Sequence, residues 1–486
     1  MTRATPAPPA PKPDAARVAA PDAAPDAAQP QRLTPQALRA AALRDQRAGA
    51  SDRAFAGWRA YLRLRPDDAG AWSNLGALLR ARRDHAAAVI CQRRADQARP
   101  NDALILNNLG NALHDADLLP EALAVRTRVR AMTPDQPAPV AMLAVTLRAL
   151  GRCEDAAAMA AEGLARWPGD AELRLQRALA LLQTGAYGPG FAAFGARWEI
   201  GEIARPTPPA PWWEGEDIRG KRLSVLPEQG FGDTLLMARL IAPLKERTGA
   251  QVLLTCRPPL ARLMRGLPGC DALLAPDVPA PRVDAAVMMM ELPRLLSLSI
   301  DSIPPAPPLH IPADARARAA RIAAPFKERL KVGVMWAGSV TYRGDHKRSV
   351  EVTRFLPLAA IPGVQLFSLY KGPLLAQFRA SSASAIIIDA SGDETDFADC
   401  AAMIERLDLV ISVDSAAAHL AASLGAETWN LLAAAPYWIY GAGGDGTGED
   451  GTPWHPSMRL FRQETPGDWD GVFAKVEAAL RARAHA

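Results

Sequence analysis

Residues 410–425 read VISVDSAAAHLAASLG, a run of small and β-branched residues that closes on Asp414 and restarts as an alanine-rich segment. The pattern predicts a buried strand ending at Asp414, then a helix whose start Ser415 caps with its hydroxyl. Ala416, Ala417 and Ala418 are too small to block a ligand at that helix start. Unpaired N–H groups and the positive dipole end make such a start suitable for a diphosphate. His419 follows one turn after Ser415 on the same face, where it could donate a hydrogen bond to a phosphate or sugar oxygen. The plainer reading is a capped helix with a core histidine.

A strand running into a helix is the unit of a parallel sheet, and the alternation extends in both directions. Strands are predicted near 331–337, 364–369, 385–389, 407–413 and 426–432, within a half spanning 331–465. An earlier half, 222–312, has strands near 222–226, 251–255 and 283–289, and a helix over 313–330 bridges the two. Two Rossmann-like halves put their strand C-termini face to face across a cleft, where open α/β sheets bind ligands. A last helix, 466–486, lies beyond the second half and could cross back to the first.

Upstream of a Pro-rich break at 201–221 the pattern is helical throughout. Pro66, Pro100, Pro134 and Pro168 are spaced 34 residues apart, as are Ala54, Ala88, Ala122 and Ala156; Gly76 and Gly110 share the phase. This period, with Gly at the eighth, Ala at the twentieth and Pro at the thirty-second place, resembles the tetratricopeptide repeat. The resemblance implies an α-solenoid over 34–200, five stacked helix pairs with a concave face. Asn74, Asn107, Asn108 and Asn111 fall on the first helices, which line that face, and are candidates for hydrogen bonding an extended peptide. The plainer reading is solvated scaffold. Residues 1–33 are rich in Ala, Pro and Asp and are expected to be disordered, since they cannot bury enough surface to offset their ordering entropy.

The loop after the first predicted strand, LPEQGFGDTLLMARL (226–240), looks at first like a dinucleotide cradle. It is not one: the third glycine is replaced by Leu235, and no acidic residue ends a second strand about 20 residues on. Gly230 and Gly232 allow a tight turn, after which Asp233 is either a helix cap or a base facing the cleft.

Four motifs together resemble the family-9, heptosyltransferase-type GT-B glycosyltransferases. D-S-x-x-x-H-x-A (414–421) is similar to their nucleotide-sugar motif, with Ala416 in place of the usual Gly. EQGFGDTL (228–235) is similar to their Gly-Asp loop, which implies Asp233 as general base, with Glu228 in reserve. MWAGSVTYRGDHKRSV (335–350) is similar to the donor-half loop whose basic residue meets the diphosphate, implying Lys347 and Arg348, with Ser339 and Arg343 as weaker candidates. TPWHPSMRLFRQ (452–463) resembles the tail of bacterial repeat proteins fused to such a domain. The implied architecture is α + α/β: a repeat solenoid followed by a GT-B fold, similar also to O-GlcNAc transferase and to bacterial flagellin glycosyltransferases.

The resemblance implies that Asp414, Ser415, Ala416 and His419 bind the nucleotide-sugar, with His419 also a candidate in catalysis. Asp396 and Asp399 are further candidates near the donor base, although Asp396 suits a helix cap equally well. Trp336, Trp429, Tyr437 and Trp438 could stack on a base or sugar, or pack. The D-x-D patterns at 115–117 and 468–470 lie away from predicted strand ends and read as incidental.

Composition narrows the field. A net charge of +4 without clustered basic stripes does not suggest a nucleic-acid partner. Five scattered cysteines and seven histidines form no C-x-x-C and no H-E-x-x-H, so neither disulfides nor a tightly held metal is expected. No stretch reaches the roughly 20 uninterrupted apolar residues of a membrane span, and a cytoplasmic location is expected. The expected function is protein O-glycosylation: a nucleotide-sugar donor in the cleft, no tightly bound cofactor, and a protein acceptor on the array, with flagellin preferred through the resemblance alone. The donor is a CMP-nonulosonic acid, a UDP-sugar or another activated sugar. The alternatives are a transferase acting on lipopolysaccharide or lipid-linked glycan, and a non-catalytic adaptor.

Overall fold

The computed structural model describes residues 34–201, 204–228, 230–276, 281–342, 344–392, 396–441 and 451–485. The N-terminal segment read as a tail, Arg343, and all of the glycine-rich 444–451 loop except Gly451 lie outside them. Ten helices form five pairs: α1 (Pro35–Arg47) with α2 (Ser51–Leu64), α3 (Ala69–Ala81) with α4 (His85–Ala98), α5 (Ala103–Asp115) with α6 (Leu119–Met132), α7 (Pro137–Ala149) with α8 (Cys153–Arg166), and α9 (Ala171–Gln183) with α10 (Tyr187–Phe194).

The repeats share most of their local devices. Asp68, Asp102 and Asp170 cap α3, α5 and α9 with their carboxylates, Thr34 caps α1, and the spaced prolines follow the second helix of the first four pairs. The turn within each pair is left-handed, at Gly49, Arg83, Asp117, Gly151 and Gly185. Ala54, Ala88, Ala122 and Ala156 are fully buried between helices. Gly76 leaves room for Gln92, whose Nε2 would lie 2.6 Å from an added Cβ and instead donates to the Ser73 carbonyl.

Both sheets of the second part are wholly parallel. The first has the order β3-β2-β1-β4: β1 (Arg222–Leu226), β2 (Gln251–Thr255), β3 (Ala272–Leu274) and β4 (Ala285–Met288). The second has the order β10-β9-β8-β5-β6-β7: β5 (Leu330–Met335), β6 (Val364–Ser368), β7 (Ile388–Asp389), β8 (Leu409–Val413), β9 (Thr428–Leu432) and β10 (Met458–Arg462). The protein is therefore a repeat solenoid followed by two Rossmann-like halves in a GT-B arrangement. β3 and β10 add to the predicted strands. The bridging helix is shorter than expected, Ala313–Ala323, with a single-turn 3₁₀ segment after it. The last helix, Trp469–His485, does not cross back: Trp469, Val472, Val476 and Leu480 pack into the core of the second half with Phe355 and Leu358.

In each sheet the chain reverses strand order beside one central strand, between β1 and β4 and between β5 and β8. Open α/β sheets bind ligands outside such switch points. One continuous core joins the two halves and the end of the array. Trp454 donates to the Tyr187 hydroxyl at 2.7 Å, and Trp438 sets edge-on to Tyr187 and Phe191. Among the described residues no helix is long and apolar enough to cross a membrane.

Candidate active site

The switch point of the second sheet holds the motif residues. Asp414 leaves β8 and receives a hydrogen bond from the Tyr440 hydroxyl at 3.1 Å on one oxygen; its other oxygen lies 3.5 Å from Arg348. Ser415 caps the Ala416–Ser423 helix by accepting from the Ala418 amide, as expected, and its hydroxyl is 2.9 Å from Ser412. Arg348 comes from the loop after β5. Its guanidinium covers the Tyr342 ring at 4.7 Å and lies so close to Gly338 that an added Cβ would be 2.7 Å from it. That contact explains the glycine: the backbone must leave space for the cation.

Lys347 stands elsewhere. Its ammonium is 2.5 Å from Asp117 and 3.2 Å from the His114 carbonyl, both on the repeat array, so it ties the donor loop to the solenoid. The four-residue helix Asp345–Arg348 explains the split, since neighbouring helical side chains point about 100° apart. Ser339 is exposed and bonds Thr341.

The loop after β1 faces this centre from the first half. An added Cβ on Gly232 would lie 2.8 Å from the His419 ring, so the loop passes directly against the helix that His419 occupies. Asp233 is the third residue of α11 (Phe231–Met237). One of its oxygens accepts from the Gly230 amide at 3.0 Å, closing the helix start, and the other accepts from the Tyr437 hydroxyl at 3.2 Å. Asp233 is a cap in this structure, and its second oxygen is turned to the opposite half. Burial and the neighbouring Asp233 charge raise the Tyr437 hydroxyl well above its usual range, which keeps it a donor.

Glu228 is occupied otherwise. The switch point of the first sheet is filled by Arg197 from the end of the array, 2.8 Å from Glu228 and 2.7 Å from Glu291, with all three side chains buried. Glu228 also accepts from the Met290 amide. Burial raises the Glu228 carboxyl, with Arg197 opposing.

Of the array asparagines, Asn108 donates to Ser73 and Asn111 accepts from Arg126, so both brace neighbouring helices; Asn74 and Asn107 are half-buried. Asp396 caps the Phe397–Ile404 helix, and Asp399 is buried beside Arg262 and Arg318. Trp336, Trp429 and Trp438 are core residues, and Tyr437 is the one of the four that hydrogen-bonds Asp233.

Three further residues belong to the site, and of them only His455 lies within a resembling motif, 452–463, which did not single it out. Tyr440 holds Asp414. His455, in the loop before β10, sets its Nε2 3.1 Å from His419 Nδ1. Arg239, just after α11, is buried; its Nε donates to the Leu236 carbonyl and its Nη1 to the carbonyls of Pro304 and Trp454. Burial lowers both histidines, which stay neutral at physiological pH.

No protein-family model matches the chain. It is 27% identical over 463 residues to Protein FlbA of Caulobacter vibrioides, covering 87% of this chain and 74% of that protein. Among solved structures it is similar to a family-9 glycosyl transferase from Veillonella parvula, at 13% identity and a TM-score of 0.42, over 55% of this chain and 99% of the other. It is also similar to YrrB, a TPR protein with an unusual peptide-binding site, at 15% identity and a TM-score of 0.31, over 35% and 88% of the two chains.

Proposed function

We propose that the protein transfers a sugar from a nucleotide-sugar donor to a Ser or Thr hydroxyl of a protein acceptor held by the repeat array, with flagellin the preferred acceptor. One observation carries this reading. The capped helix start with Asp414, Arg348 and His419 lies directly against the Asp233 loop of the other half. The Ala416–Ser423 helix and Arg348 bind the leaving diphosphate and neutralise its developing charge. Asp233 takes the proton of the attacking hydroxyl. The hydroxyl oxygen then bonds to the anomeric carbon, and the nucleotide departs with the electrons of the broken bond.

Calorimetry with CMP-, UDP-, GDP- and ADP-sugars tests donor use: one class should bind, and binding of none would leave the fold an adaptor. Flagellin from cells lacking the protein should lose mass in whole sugar units. An unchanged mass would remove flagellin as acceptor.

A further inference from the structure

The contact between the two buried rings has only one proton to place. If His419 donated from Nδ1, the His455 proton would sit on its own Nδ1, which is buried without a hydrogen-bond partner. A buried N–H without an acceptor is costly, and a bare ring nitrogen is the cheaper orphan. Arg239, whose guanidinium holds the carbonyl of the adjacent Trp454, adds positive charge on this side and disfavours a second proton on His455. The other end of the chain agrees. Tyr440 spends its proton on Asp414, and its oxygen is 3.5 Å from His419 Nε2, free to accept.

We propose that His455 is a positioning residue that fixes His419 as its Nε2–H tautomer. A one-way relay then runs from His455 Nε2–H to His419 Nδ1, from His419 Nε2–H to Tyr440, and from Tyr440 O–H to Asp414. His419 presents a hydrogen-bond donor to the cleft and has no lone pair left to act as a base. Its second nitrogen can turn from Tyr440 to an anionic oxygen of a bound donor without any proton changing atoms. The groups facing the pair are Asp414 and Tyr440 from the second half, Asp233 and Arg239 from the first, and Arg348 from the donor loop. The two carboxylates favour protonation of His419, while burial and the two arginines oppose it. The tautomer stands on this geometry alone; only the identity of the donor's oxygen rests on the transferase reading.

Nitrogen-15 spectra of the imidazoles in the full chain test the relay, with His419→Asn and His455→Phe assigning the signals. His419 should show the Nε2–H tautomer and stay neutral through the physiological pH range. In His455→Phe its signal should become a tautomer mixture and titrate. His455→Gln, whose amide can donate at a similar reach, should restore the single tautomer, and serves alone if the Phe variant fails to fold. A wild-type His419 carrying its proton on Nδ1, or titrating like a free imidazole, would overturn the assignment. Where a nucleotide-sugar binds, His455→Phe should weaken it by about tenfold and His455→Gln should recover most of that. Equal losses in both variants would also count against the relay. Absence of any donor binding in the wild type would remove the transferase reading and leave the spectral result to stand or fall separately.

Discussion

Asp233 holds two positions at once, closing α11 with one oxygen and meeting Tyr437 with the other. Substitution by Ala removes both and cannot separate them. Asp233→Asn keeps an oxygen that can accept from Gly230, turns an amide N–H to the Tyr437 oxygen in place of an acceptor, and removes the basicity. It should lose transfer by at least about a hundredfold while donor affinity and melting temperature stay near wild type. Activity surviving in Asp233→Asn would make the residue structural. At this scale the motif placed Asp414 at a strand end, Ser415 as a helix cap and His419 one turn on, because strand, cap and helix turn are local in the chain. It was a poor guide to Lys347 against Arg348, since adjacency in sequence does not say which of two neighbours turns into a cleft. Tyr440 lies outside every motif, and His455 lies in one that does not single it out, because the sheet order brings them to His419 from 21 and 36 residues away.

The helix pairs were legible almost entirely, because the buried Ala and the terminal Pro recur at one period through four of the five pairs and an Asp caps three of the first helices. The strands were legible where they are buried. β3 was missed because it is three residues long, and β10 because MRLFR alternates with two arginines as an edge strand does. What no pattern announced is how the elements meet across domains. The donor loop touches the array twice, through Lys347 and Asp117 and through stacked rings of His85 and His346 at 5.0 Å. The ion pair is half-buried, so Lys347→Ala should cost about 1 kcal/mol or less of global stability. Its clearer effect should be local. Amide exchange over 344–348 should quicken while exchange in β5 and β8 is unchanged, and unaltered exchange there would show that the tie does not hold the loop.

Over the whole molecule the array and the two α/β halves share one folding unit. Arg197 neutralises two buried carboxylates that belong to the other domain. Arg197→Ala should therefore destabilise the chain by about 3–5 kcal/mol, read by denaturant unfolding, far more than a surface arginine. Acid should act globally too. Burial brings His114 down to about 3 and lowers His419 and His455. Each stays neutral in the fold and accepts a proton once unfolded. Their contribution is complete above about pH 6.5 and falls by up to about 1.4 kcal/mol per pH unit for each residue below it. Melting temperature should drop steadily from pH 7 toward about pH 5, and less steeply in His114→Gln. A flat profile would mean these rings are hydrated.

The aromatic seam of Tyr187, Phe191, Trp438 and Trp454 leaves the solenoid no freedom to swing over the cleft. For an acceptor seated on the repeats, the distance from docking segment to reacting hydroxyl is then set by the enzyme and not by diffusion of a tethered substrate. If the proposed transfer holds, the protein would work as a ruler, choosing hydroxyls by their count along the acceptor chain more than by the residues around them. Residues inserted between an acceptor's docking segment and its modified site would move the mark rather than abolish it.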